Sequence, residues 1–334
     1  MDSEKKSGIK KNVKICLIVF FIAFILAVAG SLFYLNWIIK TPVSNKSGKK
    51  YFEVKKGETT LTISKNLAEK KLVKSELVFA IYVRIKSGSL IPGVYEIPKN
   101  AKMIDVYDTI SNGKTKVVKF TIPEGYRVEQ IGQLLEEKKL GSYEDFVAKG
   151  AKLEGQLFPD TYYISPEYST DQIIETMHAN YLEKISTLTV SSEDLTIASI
   201  VEREAVKDEE RPIIAGVYKN RLARKMKLEA DPTVQYGKDN QSIKYINLSA
   251  KLNFPYWQQI SSADYLSVKS PYNTYIIPAL PPTPICNPGT KSIESTINYT
   301  HHDYLYFLQA NGQIYLAKTQ AEHEQNKLTA WGHK

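Results

Sequence analysis

From Ile15 to Leu35 the chain runs 21 residues without a formal charge. As a helix rising about 1.5 Å per residue, such a run spans about 30 Å, the thickness of a bilayer's hydrocarbon core. Its polar members are small or terminal (Cys16, Gly30, Ser31, Tyr34), and Trp37 stands where an interfacial aromatic belongs. Ala27-Val28-Ala29 resembles a small-x-small cleavage site. The apolar run continues past it through Ser31-Leu32-Phe33-Tyr34-Leu35, which favours an uncleaved transmembrane helix over 15–36 after a cytoplasmic tail, 1–14. Lys5, Lys6, Lys10, Lys11 and Lys14 precede the run, and Lys40, Lys46, Lys49 and Lys50 follow it. That charge bias is weak, but the short tail favours leaving it in the cytoplasm and exporting the rest. With Cys16 in the membrane, only Cys286 is exported, so an internal disulfide and a Cys-rich zinc site are excluded. The formal charge of +8 suits an anionic partner. Nucleic acid is argued against by the anchor and by the lack of a zinc finger or an aromatic RNA-binding signature.

A polar, basic linker is expected over 37–50. An internal repeat follows. Val54, Gly57, Ile63, Leu67, Glu69, Lys70, Lys71 and Leu72 recur 68 residues later as Ile122, Gly125, Ile131, Leu135, Glu137, Lys138, Lys139 and Leu140. Pro92–Ile97 parallels Pro159–Ile164 at an offset of 67. Each copy predicts a short strand (Tyr51–Val54; Val117–Ile122), a Gly turn, two helices and a Tyr-x-Ile strand. The fold class is α+β: a transmembrane helix, a small module over 51–117 and a larger catalytic domain over 118–334. The small module resembles a LysM-like βααβ unit, a fold that binds N-acetylglucosamine-containing glycans. The aromatic-x-Val-x-x-Gly-x-Thr start and the Ile-x-x-x-Leu helix carry that likeness.

Ser191-Ser192-Glu193-Asp194 predicts a capped helix start. Leu195, Ser199, Glu202 and Val206 then fall on one stripe. Glu202 therefore ends an apolar surface, where burial would raise its pKa and make it a proton donor. Glu204 points about 200° away round the helix. A salt-bridged Glu at a helix rim is the other reading of Glu202, and the helix alone leaves both open.

Further motifs stand in order along the chain: Glu154-Gly155-Gln156-Leu157-Phe158-Pro159-Asp160-Thr161-Tyr162, Ala198-Ser199-Ile200-Val201-Glu202-Arg203-Glu204, Ala215-Gly216-Val217-Tyr218-Lys219-Asn220-Arg221-Leu222, Glu229-Ala230-Asp231-Pro232-Thr233-Val234-Gln235-Tyr236-Gly237, Ser270-Pro271-Tyr272-Asn273-Thr274-Tyr275, Leu280-Pro281-Pro282-Thr283-Pro284, Tyr304-Leu305-Tyr306-Phe307 and Glu322-His323. Over roughly residues 50–330 the chain resembles the endolytic murein (peptidoglycan) transglycosylase family, the MltG or YceG-like proteins. It departs from the family pattern at Ala279 and Thr283, on either side of the Leu-Pro-Pro, and at Tyr315. The resemblance implies a membrane-anchored lyase on the outer side of a bacterial cell membrane. Such an enzyme cuts the β-1,4 bond from N-acetylmuramic acid to N-acetylglucosamine within nascent peptidoglycan strands. It leaves 1,6-anhydromuramyl ends and terminates strand growth beside the synthases. The resemblance also implies Glu202 as the catalytic residue. One Glu suffices where the sugar's own 6-hydroxyl attacks, since it can protonate the leaving oxygen and then accept the 6-hydroxyl proton.

Asp231, Thr233, Tyr236, Tyr272, Asn273, Thr274 and Tyr275 are candidates to line the sugar groove, the Tyr rings stacking on pyranose faces. The Pro-rich stretch 278–288 is expected as a loop beside it. His301-His302-Asp303 and Glu322-His323-Glu324 lack the His spacing of a metalloprotease helix, so neither a metal nor a cofactor is expected. Two other functions remain open: a non-catalytic glycan-binding scaffold, and a lysozyme-type muramidase using Asp231 as second carboxylate.

Overall fold

The computed structural model describes residues 2–114 and 116–332, with side chains from residue 20 onward. The side chains of the tail, 1–14, and of residues 15–19, Cys16 among them, lie outside the described residues. The fold is mixed α+β and divides into two compact units, Met1–Val118 and Lys119–Lys334.

The first unit opens with helix α1 (Asp2–Lys40). Its Phe20–Lys40 part is long and apolar enough to cross a membrane and is exposed almost throughout. The linker expected over 37–50 begins later than its composition suggests. Ile38, 4% exposed, packs into the unit's core, and the Lys74 ammonium sits 3.5 Å from the centre of the Trp37 ring. Strand β1 (Lys49–Val54) follows, then α2 (Thr60–Glu69), α3 (Glu76–Lys86), β2 (Gly93–Pro98) and α4 (Met103–Ser111). β1 pairs antiparallel with β2, Lys49 opposite Pro98 and Val54 opposite Gly93. Phe52, Ile63, Leu67, Phe79, Tyr95, Ile97 and Ile110 fill the core between the strands and helices. Each such side chain contributes roughly 1.5–3 kcal/mol by leaving water.

Strand β3 (Lys116–Thr121) begins in the first unit, Val117 opposite Val94, and ends in the second. The second unit then repeats the scheme with α5 (Val128–Glu137), α6 (Tyr143–Gly150) and β4 (Thr161–Ile164). α2 and α5 start and end 68 residues apart. Gly57 and Gly125 both turn at positive φ (86° and 77°), as do Lys71 and Lys139 (54° and 57°). Both helices close with the same bond, Leu72 N–H to Leu67 O and Leu140 N–H to Leu135 O, each 2.9 Å.

The rest of the second unit is largely helical: α7 (Thr170–Lys184), α8 (Ser192–Glu204), α9 (Arg211–Ala223), α10 (Asp231–Ile243), α11 (Leu248–Leu252), α12 (Asp264–Ser267) and α13 (Thr290–Ile297). It ends in an antiparallel hairpin, β5 (Tyr306–Ala310) and β6 (Gln313–Ala317), covered by α14 (Gln320–Trp331). Asn311 and Gly312 make the two-residue turn, both at positive φ (54° and 72°), which matches the twist of the strands they join.

Candidate active site

Helix α8 starts as its sequence prescribes. Ser191 Oγ accepts from Asp194 N at 3.0 Å, and Asp194 Oδ2 accepts from Ser191 N at 3.3 Å. Every residue from Leu195 to Val201 is buried. Ile197, Ile200 and Val201 pack against Ile214, Ala215 and Tyr218 of α9 and against Tyr236 of α10. The helix ends at Glu204, so Val206, the last member of the expected stripe, lies beyond it and is 75% exposed.

The Glu202 side of α8 faces the Pro-rich loop. Ser199 Oγ accepts from Ile285 N at 3.0 Å, and the Cys286 thiol donates to Ser199 O at 3.2 Å. One turn on, Glu202 Oε2 accepts from Gly289 N at 3.0 Å, and Oε1 lies 3.5 Å from Arg211 Nη2. The Glu202 side chain is 7% exposed. Glu124 covers Gly289 so closely that a Cβ there would fall 1.8 Å from its Oε1 and displace that carboxylate. Burial, reinforced by the Glu202 charge, raises the Glu124 carboxyl above the usual range.

The Glu204 side opens on a cavity of about 530 Å³. Glu204, Asp231, Tyr265 and Tyr275 line one wall, while Tyr306, Gln309, His323 and Lys327 from the hairpin and α14 line another. The Tyr218 hydroxyl donates to Glu204 Oε1 at 3.2 Å. Burial, then the Asp231 charge, pushes the Glu204 carboxyl up to about 7. Asp231 is exposed at the start of α10, where Pro232 suits the first turn. Its Oδ1 accepts from the Tyr275 hydroxyl at 2.7 Å, and Tyr275 stacks on Tyr265 with centroids 4.1 Å apart.

Of the residues expected to meet sugar, Asp231 and Tyr275 thus gather round Glu204, and Glu202 is not among the residues lining this cavity. The polar groups of Thr233, Thr274 and Asn273 are occupied inside the protein. The Thr233 and Thr274 hydroxyls bond each other at 2.8 Å, and Asn273 Nδ2 donates to Tyr265 O and Val268 O. Each of the three is at most 1% exposed. Tyr236 is 6% exposed, its ring 3.9 Å from the Arg127 guanidinium. The Tyr272 hydroxyl meets Thr283 Oγ1 at 2.7 Å, so one of the family departures is a partner of a candidate tyrosine.

Sequence reasoning passed over Glu204 because two stripes of α8 read alike. Ile197, Val201 and Glu204 share the spacing of Leu195, Ser199 and Glu202 and are more apolar. The Glu-Gly pair Glu154-Gly155 had a signal of its own. Gly155 turns at φ 88°, where a Cβ would sit 2.6 Å from Pro284 Cγ. Glu154 accepts from Val128 N and from Asn287 Nδ2, tying the Pro-rich loop to the start of α5.

Comparison with known proteins places this architecture. Residues 52–329 match the YceG-like family. An endolytic murein transglycosylase from Streptococcus pneumoniae is 31% identical over 374 aligned residues, covering 94% of this chain and 65% of that protein. The chain thus spans about two thirds of the length of that relative. An endolytic murein transglycosylase from Bacillus subtilis is 28% identical, with 90% of each chain covered. The crystal structure of a YceG-like protein from Listeria monocytogenes superposes with a TM-score of 0.52 at 30% identity, covering 83% of this chain and 98% of that one. The chain belongs to the YceG-like family.

Proposed function

We propose that the chain is a membrane-anchored lytic transglycosylase that cuts within peptidoglycan strands, with Glu204 as the acid and base. The relatives named as endolytic murein transglycosylases support the substrate class. The observation that carries the assignment is the Glu204 carboxyl, held near pKa 7 at the wall of a roughly 530 Å³ cavity. Near neutral pH such a group is present both as acid and as carboxylate, which suits a residue that must donate and then accept.

In the first half of the reaction, Glu204 gives its proton to the oxygen between N-acetylmuramic acid and the following N-acetylglucosamine, and the C–O bond breaks. The Asp231 carboxylate in the same wall favours the positive charge that develops at the anomeric carbon. In the second half, the muramyl 6-hydroxyl attacks that carbon while the Glu204 carboxylate takes its proton, closing a 1,6-anhydro ring. Tyr218 holds Oε1 throughout, and the Tyr265–Tyr275 stack offers an aromatic edge to the sugar. Phe20–Lys40 serves as the anchor, with the second unit outside the membrane and beside growing strands. The first unit, with its β1-α2-α3-β2 order, is a second glycan contact of the LysM-like kind.

Asp231 also favours a second reading, in which it activates water and the enzyme is a two-carboxylate muramidase. The test is product analysis. The full chain in detergent is incubated with purified peptidoglycan, and the soluble fragments are weighed by mass spectrometry. Anhydromuramyl ends, lost in Glu204→Gln, are expected. Reducing ends would move the assignment to the muramidase, and fragments released equally by Glu204→Gln would refute the acid.

A further inference from the structure

The part of the cavity lining that comes from the hairpin and α14 has no part in the proton transfers, and it carries one histidine. His323 comes from α14 and stacks on Tyr306 of β5, centroids 5.3 Å apart and planes 25° from parallel. Its Nδ1 is closed to solvent and has no hydrogen-bond partner among the described residues. A proton left there would be a buried donor with no acceptor, the costlier way to leave a buried polar atom unpaired. The tautomer that follows carries its proton on Nε2, in a residue that lines the cavity. Burial, then the Lys327 and Arg221 cations, lowers the imidazole's pKa against the opposing pull of Glu324 and Glu229. The same part of the lining carries Lys327, whose Nζ lies 2.9 Å from Glu324 Oε1, and Gln320. Gln320 Nε2 donates to the same Glu324 oxygen at 2.6 Å, and the lining also holds the carboxylates of Glu204, Glu229 and Asp231.

We propose that the His323 Nε2–H, with Lys327 beside it, is a subsite for an acyl carbonyl oxygen carried by the amino sugar. The inference rests on the glycan-cleaving reading above and adds to it the group that this part of the lining recognises. Two such oxygens occur in peptidoglycan: the 2-acetamido carbonyl of either sugar, and the carbonyl of the lactyl ether that only the muramyl residue bears. A neutral N–H donor suits both, since each is an amide or acyl oxygen rather than a free base.

The test measures binding, so it does not depend on turnover. Soluble strands are titrated onto the full chain in detergent in the Glu204→Gln background. Two variants separate the donor from the stack: His323→Phe keeps a ring on Tyr306 and removes the N–H, whereas His323→Gln keeps an N–H at the Nε2 position and removes the ring. His323→Phe is expected to weaken binding about tenfold, and His323→Gln less than threefold. If the gap between them closes on de-N-acetylated strands, the oxygen is the acetamido one. If it persists there and closes on chitin oligomers, which lack the lactyl group, the oxygen is the lactyl one. Binding by His323→Phe at the parent affinity, or equal weakening by both variants, would overturn the proposal and leave His323 as a packing partner of Tyr306. Anhydro products from the unaltered chain bear only on the activity, so the two readings fail separately.

Discussion

Glu202 and Glu204 sit two residues apart on one helix and meet opposite surroundings. Both end an apolar stripe, and both are drawn into the protein. Glu202 has its two oxygens occupied by Gly289 N–H and Arg211, and Glu124 lies close by. Glu204 has one neutral donor, the Tyr218 hydroxyl, a like charge at Asp231, and a cavity in front of it. Burial alone does not make a proton donor. What matters is whether the protein binds the carboxylate, as it does with N–H and guanidinium at Glu202, or penalises it, as it does with a low-dielectric wall and a second carboxylate at Glu204.

The sharpest way to break this contrast is to neutralise each residue in turn. Glu204→Gln is expected to lose about 10²–10⁴-fold in strand-cleavage rate, the range that general acid–base catalysis supplies. Glu202→Gln keeps the carbonyl that Gly289 N–H needs but loses the charge facing Arg211. It is expected to cut within about tenfold of the parent and to lose about 1–2 kcal/mol of stability in denaturant titrations. The reverse ranking of the two cleavage rates would return the acid to Glu202.

The pH dependence tests the Glu204 assignment with a smaller effect. A general acid near pKa 7 predicts a rate that falls as pH rises through about 7. Asp231→Asn removes the like charge, so Glu204 ionises more readily and that limb moves to lower pH. Stability follows the same group. Its folded pKa lies above the ordinary 4.5, so the folded state binds the extra proton between the two values. Unfolding free energy therefore declines as pH rises from about 4.5 to 7. Glu204→Gln has no proton to lose and is expected to gain about 1–3 kcal/mol over the parent at pH 8, with the gain vanishing near pH 4, in unfolding curves taken across that range.

Local patterns in the sequence led directly to local structure. The capping box of α8 and the 68-residue repeat both reappear, because each rests on contacts within a few residues or on a periodicity. The long-range parts were hidden. Position 127 holds the helix start in the second copy, where the first has Thr59, whose hydroxyl accepts from Thr62 N. Arg127 cannot cap in that way. It is fully buried, bound to Glu129 at 2.6 Å, with the Tyr236 and Tyr256 rings on its guanidinium, and Glu154 takes the uncapped Val128 N–H instead. Those partners are up to about 130 residues away, and a buried Arg is rare enough that nothing local announces it. The same distance hid the hydrogen-bond partner of Glu202, Gly289, which lies 87 residues on. Asp231 and Tyr275, singled out as polar and aromatic residues near a Pro turn, both line the cavity beside Glu204. Thr233, Asn273 and Thr274 came from the same motifs, yet their short side chains turn inward and bind one another or the backbone.

The repeat gives the mildest test, because it offers the same turn twice with different neighbours. Gly57 and Gly125 share the left-handed conformation, so alanine at either is expected to cost about 1 kcal/mol from backbone strain alone. A Cβ on Gly57 would meet nothing within 4 Å. On Gly125 it would come 3.1 Å from Arg203 Nη1, 3.3 Å from Arg203 Cδ and 3.7 Å from Glu202 Cγ. Arg203 would have to give up its place over the Trp257 ring, 4.2 Å from the ring centre, to make room. Gly125→Ala is therefore expected to lose a further few tenths to 1 kcal/mol beyond Gly57→Ala in denaturant titrations, and to disturb the Glu202 side of α8 while leaving the Glu204 cavity alone. A strand-cleavage rate that falls with Gly125→Ala by as much as with Glu204→Gln would mean that the two sides of the helix act as one site, and the separation drawn between them would not hold.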